Sequence, residues 1–302
     1  DGEAHVTYVA RSGRDLSQTE IRVLTHLTDS QPLTTLMFET GQDVEVFDAV
    51  GERVSGIRDL AHPVVRIDQA RRVHVAFYAT GWVSTGIRTA VVLHASMDDR
   101  RQQGPTTASL LVPIEELADT RLDLQVDVAG DYHIAVADRY ATNSGGNVSA
   151  QRIPNPVPSQ GPLFSDVSLM LNSAGVPQII YGLAADGVSE VYLAQLTSGA
   201  FVSERMSDSA ASGAETRAPL AAVDAENSLH VLYMVQGQES ADVVYQSHSH
   251  GILGSPLVVL SGGDAGGPHN FADAGNGNRF DIDDSGHFHA LTTEVSRLHY
   301  HK

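Results

Sequence analysis

The 302-residue chain contains no cysteine, one tryptophan and one lysine, Lys302. The first absence excludes disulfides, thiolate metal sites and a cysteine nucleophile together. The shortage of lysine leaves arginine to carry almost all positive charge, 19 Lys+Arg standing against 37 Asp+Glu for a net charge of −18. Phosphate backbones are bound chiefly through Lys and Arg that displace counterions, so no nucleic acid partner is expected. No run approaches the roughly 20 apolar residues of a membrane-spanning helix. Amphipathic helical spacing never persists over three turns; Ile114–Leu117 amounts to one turn at most. Also missing are a Gly-x-Ser-x-Gly elbow, a phosphate-cradling Gly-rich loop followed by Lys, and His-Glu-x-x-His. No cofactor is expected. The opening Asp-Gly-Glu-Ala-His does not read as a signal peptide, and the expectation is an extracellular or periplasmic protein whose leader lies outside this numbering.

What is present is a repeat. In Ile67-Asp68…His74-Val-Ala-Phe77, Val126-Asp127…His133-Ile-Ala, Val223-Asp224…His230-Val-Leu-Tyr233 and Ile282-Asp283…His289-Ala-Leu, an Asp closes one apolar run. A His six positions later opens the next. A fifth copy reads Asn172 and Gln178, and a sixth begins partway through, at His5. The column at 5, 74, 133, 178, 230 and 289 recurs at steps of 45 to 69 residues, near the ~40–50 residues of a four-stranded blade plus loops. A few small or polar residues between two β-branched runs predict a hairpin. Further strands are predicted around Ile21–Leu24, Ala90–Leu93, Glu190–Leu193, Asp242–Tyr245 and Arg297–Tyr300, with outer strands at Ala108–Val112 and Pro256–Leu260.

Hairpins at regular spacing, with no polar capping repeat, favour a ring over a solenoid because a ring leaves fewer open sheet edges. The expected fold is all-β: one domain over 1–302, a six-bladed β-propeller of four-stranded antiparallel blades whose closure brings the termini together. The repeats resemble those of the bacterial sialidase-like, BNR-repeat propellers, which run apolar strand–Asp–x–x–Gly–x–x–His–Val–x–Tyr; their Ser-x-Asp-x-Gly-x-Thr-Trp box is not legible. That resemblance implies the architecture and no particular activity.

The pairs Asp68/His74, Asp127/His133, Asn172/Gln178, Asp224/His230 and Asp283/His289 are expected to fasten their hairpins by hydrogen bonds rather than to bind metal. Tyr8, Phe77, Tyr181 and Tyr233, three residues after the column, are expected to pack between blades. Function is sought where the copies differ. The loops entering the innermost strands carry His62, Arg121, Asp166, Arg217, His269, Asn270 and Arg279, a mixture suited to an anionic or hydroxyl-rich ligand at a channel mouth. No metal site is expected. Among the His-x-His pairs His287/His289, His299/His301 and His248/His250, only the last has the setting of a chelating strand pair. Asp273, Asn276, Asn278 and Asp281 do not match a calcium loop. Trp82, alone, is placed in a loop of the second blade and gives no aromatic platform per blade. These features predict a non-catalytic binding or scaffold propeller with a carbohydrate or protein ligand. The competing expectation is a polysaccharide lyase or glycoside hydrolase in which His62 or His269 acts as base and Arg121 or Arg217 neutralises a carboxylate.

Overall fold

The computed structural model describes residues 4–12, 18–26, 33–41, 44–45, 53–98, 107–110, 122–146, 148–157, 163–185, 188–208, 214–237, 240–264, 279–283, 285–294 and 297–301. Among these, strands dominate and the sole helical element is the 3-10 turn Ser144–Gly146. Six sheets follow one another along the chain. Sheet 1 holds β1 (Ala4–Ser12), β2 (Gln18–His26) and β3 (Leu33–Glu39). Sheet 2 holds β4 (Val44–Glu45), β5 (Arg53–Ile67), β6 (Arg72–Trp82), β7 (Arg88–Asp98) and β8 (Thr107–Leu110). Sheet 3 holds β9 (Leu122–Val126), β10 (Tyr132–Val136), β11 (Arg139–Thr142) and β12 (Ser149–Arg152). Sheet 4 holds β13 (Leu163–Leu171), β14 (Pro177–Ala185), β15 (Val188–Thr197) and β16 (Ala200–Arg205). Sheet 5 holds β17 (Glu215–Val223), β18 (Leu229–Gln236) and β19 (Ser240–Ser249), with β20 (Ile252–Leu253) and β21 (Leu257–Asp264) both on β19. Sheet 6 holds β22 (Arg279–Ile282), β23 (Phe288–Glu294) and β24 (Arg297–His301). Successive strands pair antiparallel. Two sheets thus carry five strands where four were expected, and Trp82, expected in a loop, ends a strand opposite Arg88.

Each repeat is a hairpin with one backbone pattern. At Asp68, Asp127, Asn172, Asp224 and Asp283 the backbone N–H donates to the carbonyl four residues on, and the N–H three residues on donates back, at 2.8–3.1 Å. Oδ1 of the same residue accepts the N–H four positions later in all five copies. An Asx side chain is required because its short oxygen reaches its own turn. The fourth residue, Arg71, Gly130, Gly175, Asn227 or Gly286, is left-handed, and Gly or Asn accepts that conformation most readily.

The chain divides into two compact units, Asp1–Ile134 with Tyr140–Gln151, and Ala135–Arg139 with Arg152–Lys302. In the first, Ile21, Met37, Phe38, Ile57, Val75, Phe77, Val91 and Leu93 form the main core, with the Phe38 and Phe77 rings 5.2 Å apart. In the second, alternate residues of β18 enter different clusters. Leu229, Val231 and Tyr233 join Ile180, Val191 and Leu193, whereas Leu232 and Met234 join Leu220, Val243 and Phe280. A strand covered on both faces follows from its near-continuous apolar run, Leu-His-Val-Leu-Tyr-Met-Val. Of the aromatic column, Phe77, Tyr181 and Tyr233 are buried; Tyr8 is 37% exposed.

Candidate functional site

Strand β5 is 15 residues long and pairs with β6 through three register shifts, between Ser55/Arg58, Arg58/Ala61 and Ala61/Val64. Each shift brings one left-handed residue: Gly56 (φ 60), Asp59 (φ 50) and His62 (φ 48). Bulges re-aim side chains and raise local twist. A left-handed Asp or His costs about 1–2 kcal/mol, so it persists only where its surroundings hold it.

Those surroundings are specific. Gly56 lies flat against Trp82, where a Cβ would stand 3.3 Å from ring carbon Cε3. The Arg58 guanidinium lies 5.2 Å from the Trp82 ring centroid. Asp59 Oδ2 accepts from Thr80 Oγ1 at 2.6 Å and from Arg88 at 2.5 Å. The Thr80 hydroxyl first, and then the Arg88 guanidinium, hold the Asp59 carboxyl below its usual range. His62 is exposed, its ring set edge-on to Tyr78 with centroids 5.9 Å apart. Tyr78 is buried, which pushes its phenol far up and keeps it protonated. The strap therefore carries three arrangements along β5–β7: Arg58 against Trp82, Asp59 held by Thr80 and Arg88, and the exposed His62 edge-on to Tyr78. Of these, sequence reasoning had selected only His62. The readable signal for the rest was the polar, alternation-breaking stretch Ser-Gly-Ile-Arg-Asp-Leu-Ala-His-Pro within an otherwise β-branched run.

In the second unit Asp166 (φ 38) and Ala218 (φ 49) occupy the equivalent bulges of β13 and β17. His62, Asp166 and Ala218 each precede their turn residue, Asp68, Asn172 or Asp224, by six positions. His62, Asp166 and Arg217 thus sit inside strands β5, β13 and β17 rather than in the loops where they were expected. Asp166 Oδ2 accepts the Ala218 N–H at 3.2 Å, and the neighbouring Arg217 pairs with Glu215 at 2.5 Å. Arg279 lies in β22 opposite Leu291. Arg121, His269, Asn270, Asp273, Asn276, Asn278 and the Ile114–Leu117 turn fall outside the described residues.

A cavity of about 570 Å³ lies at the other end of the second unit's strands, lined by Leu171, Asn172, Val223, Asp224, Ile282 and Asp283 among others. The acidic turn residues there are already engaged. Asp224 Oδ2 faces His230 Nε2 at 2.9 Å, and Asp283 Oδ2 faces His289 Nε2 at 2.9 Å. Burial pushes the Asp224 carboxyl up, but the hydrogen bond from His230 and the turn N–H groups outweigh it and hold it low. His74 Nε2 stands 3.4 Å from Asp68 Oδ2 and His133 Nε2 3.6 Å from Asp127 Oδ2. His5 Nδ1 meets Thr25 Oγ1 at 3.0 Å. The expected Asn172–Gln178 bond does not form: Asn172 Oδ1 accepts turn N–H groups, and Gln178 Oε1 is buried with no partner.

The His248/His250 pair does not share a strand face. β19 ends at Ser249, and His250 lies beyond it in a left-handed turn (φ 52). His248 is buried 3.7 Å from Glu204. No group of three His, Cys, Asp or Glu among the described residues has metal-holding geometry. No described helix is long and apolar enough to cross a membrane.

No family model and no curated protein matches the chain. Solved structures do. A protein of unknown function from Dyadobacter fermentans is similar over 97% of this chain and 93% of its own, at 9% identity and a TM-score of 0.47. An α-L-arabinanase from Penicillium chrysogenum, complexed with arabinobiose, covers 80% and 77% at 10% identity and a TM-score of 0.45. An ulvan lyase of polysaccharide lyase family PL25 covers 97% and 63% at 8% identity and a TM-score of 0.39. The chain shares its all-β, antiparallel character with these neighbours, and the likeness is not particular to the sialidase-like group. Against the expectation of a non-catalytic scaffold, the neighbours whose names state an activity are carbohydrate-active enzymes: arabinanases, a xylosidase, a lyase and a fructan hydrolase.

Proposed function

We propose that each of the six sheets is one blade of a propeller and that the protein is a carbohydrate-active enzyme working from the bulged strap of sheet 2. Within that class, the reading is a polysaccharide lyase that cleaves a uronate-containing chain, with His62 as the base. The observation that carries it is His62 itself, a non-glycine residue held left-handed and exposed to solvent on the bulged strand that also carries Arg58 and Asp59.

The chemistry favours elimination over hydrolysis. Most glycosidases need two carboxyl groups, one protonated and one free, about 5–10 Å apart. The strap has one described carboxylate, Asp59, and Thr80 and Arg88 already occupy it. Elimination needs a base for the proton α to a uronate carboxylate and a cation for the charge that develops there; as the double bond forms, the bond to the β oxygen breaks, and that oxygen takes its proton from the imidazolium or from water. Neutral imidazole and guanidinium supply those roles, and the Trp82 indole suits the apolar face of a sugar ring. Incubation with acidic polysaccharides is expected to generate an unsaturated uronate, read by its ultraviolet absorbance. Reducing ends without that absorbance would indicate hydrolysis instead, and no cleavage of acidic or neutral polysaccharides would defeat the enzyme reading.

A further inference from the structure

In sheet 5, His230 bridges two groups: Nε2 lies 2.9 Å from Asp224 Oδ2 and Nδ1 lies 2.7 Å from the Tyr245 hydroxyl. Sheet 3 repeats the second half, with His133 Nδ1 2.6 Å from the Tyr140 hydroxyl. Sheet 2 breaks the pattern. His74 faces Ser96 across the ladder as His230 faces Ser247, and the residue two before that serine is Tyr245 in sheet 5 but His94 in sheet 2. His74 Nδ1 stands 3.1 Å from His94 Nε2.

Proton bookkeeping along this chain has one solution when both rings are neutral. The Asp68 carboxylate accepts from His74 Nε2–H, so His74 Nδ1 is a bare acceptor, and His94 Nε2–H must donate to it. His94 Nδ1 is then an unprotonated nitrogen, and it is buried without a hydrogen-bond partner. Both rings are almost fully enclosed. We infer that the Asp68–His74–His94 chain is an acid-sensitive latch: a second proton on His94 has only the unpartnered Nδ1 to occupy, and the uncompensated charge this buries loosens β6 and β7 of sheet 2, while sheet 4, with no histidine in β13–β16, stays closed.

The groups around the pair give a proton little welcome. From the turn, Asp68 is the nearest carboxylate, but Arg72 Nε already neutralises it at 2.6 Å. From β5, Arg66 faces His74 across the ladder and is engaged with Asp123 of β9 at 3.0 Å. From β10, the Tyr132 ring stacks on His94 at 4.1 Å, a cation–π contact that offsets only part of the cost of burying charge. Burial holds both imidazoles below their usual range, His94 well below, with His74 adding to the effect there. The sign follows from the folded state binding fewer protons than the unfolded chain. The contribution to stability is complete above the unfolded value of 6.5 and is lost as pH falls below it. Asp68, held low, stays ionised throughout that window. A tyrosine in place of His94 adds no charge there; burial lifts the Tyr140 phenol to about 12. Burial also depresses His133, against the pull of Asp127, and His248 lies buried on β19, so the control is sheet 4, with no histidine in β13–β16.

Hydrogen exchange on the whole protein, corrected for intrinsic chemistry, tests this between about pH 8 and pH 5.5. Peptides of β6 and β7 are expected to lose protection by about tenfold or more, since each unit of pKa depression is tenfold, while the histidine-free β14 and β15 hold theirs. His94→Gln keeps an N–H for His74 Nδ1 and removes the site of protonation, so its β6–β7 protection should no longer fall. Parallel loss in both sheets, or an acid response retained in His94→Gln, would overturn the latch. Should that variant not fold, imidazole nitrogen shifts of the wild-type protein decide. His94 staying neutral until β6–β7 opens supports the latch, and titration near 6.5 in a protected sheet refutes it.

Discussion

Sheets 2 and 5 are built on the same hairpin and differ in what hangs from it. Both open with an Asp whose Oδ1 closes the turn and whose Oδ2 faces a His six residues on. Sheet 5 bulges once between β17 and β18, at Ala218, a side chain too small to do chemistry. Sheet 2 bulges three times, at Gly56, Asp59 and His62, and answers its column histidine with a second imidazole instead of a tyrosine. The shared parts account for the fold. What sheet 2 adds destabilises it locally, and strain of that kind survives where it supports a task.

The largest expected contrast is functional. His62→Ala should lower polysaccharide cleavage by about 10²–10⁴-fold at an unchanged unfolding midpoint, because His62 is exposed and buries no core surface. Ala218→Ser in sheet 5 should leave turnover as it was. Next comes the hairpin carboxylate. Asp68→Ala strips a buried charge partner from His74 and Arg72 and should cost about 3–5 kcal/mol in chemical denaturation, against about 1–3 kcal/mol for the more exposed Asp224→Ala. Equal losses would mean the two hairpins are enclosed alike. Gly56→Ala forces a left-handed alanine against the Trp82 ring, with an expected cost of about 1–2 kcal/mol and a shift in Trp82 fluorescence. The smallest effect is at Asn227, whose Oδ1 accepts the Ser173 N–H at 2.7 Å. Asn227→Gly removes that bond while easing the positive φ, for a net loss of about 0.5–1 kcal/mol.

The repeat was legible because it is local: an Asx side chain, a left-handed fourth residue and a β-branched strand start lie within ten residues. The second strands, such as Glu190–Leu193, were legible for the same reason, since a continuous β-branched run announces a strand covered on both faces. The short strands Arg139–Thr142 and Ser149–Arg152, the second at the edge of sheet 3, carry no such run and give no strand signal. The strap was only partly readable. Arg58, Asp59, Thr80 and Arg88 meet through two strand crossings, and a bulge shifts register by a step that no alternation pattern records. His62 stood out only because Pro63 follows it. The His94 substitution was invisible for a different reason: it falls in a column that matters only once His74 has turned its second nitrogen towards it.

Gly130 shows how closely neighbouring hairpins have adapted to one another. A Cβ there would stand 1.8 Å from the Arg72 guanidinium, which also reaches Asp68. Two residues 58 positions apart are therefore constrained jointly: any side chain at 130 evicts Arg72 from its carboxylate, and a shorter residue at 72 removes the reason for glycine. Such epistasis makes each turn's tolerance a property of its neighbour, so an exchange of whole hairpins between sheets should fail unless both members of the pair travel together.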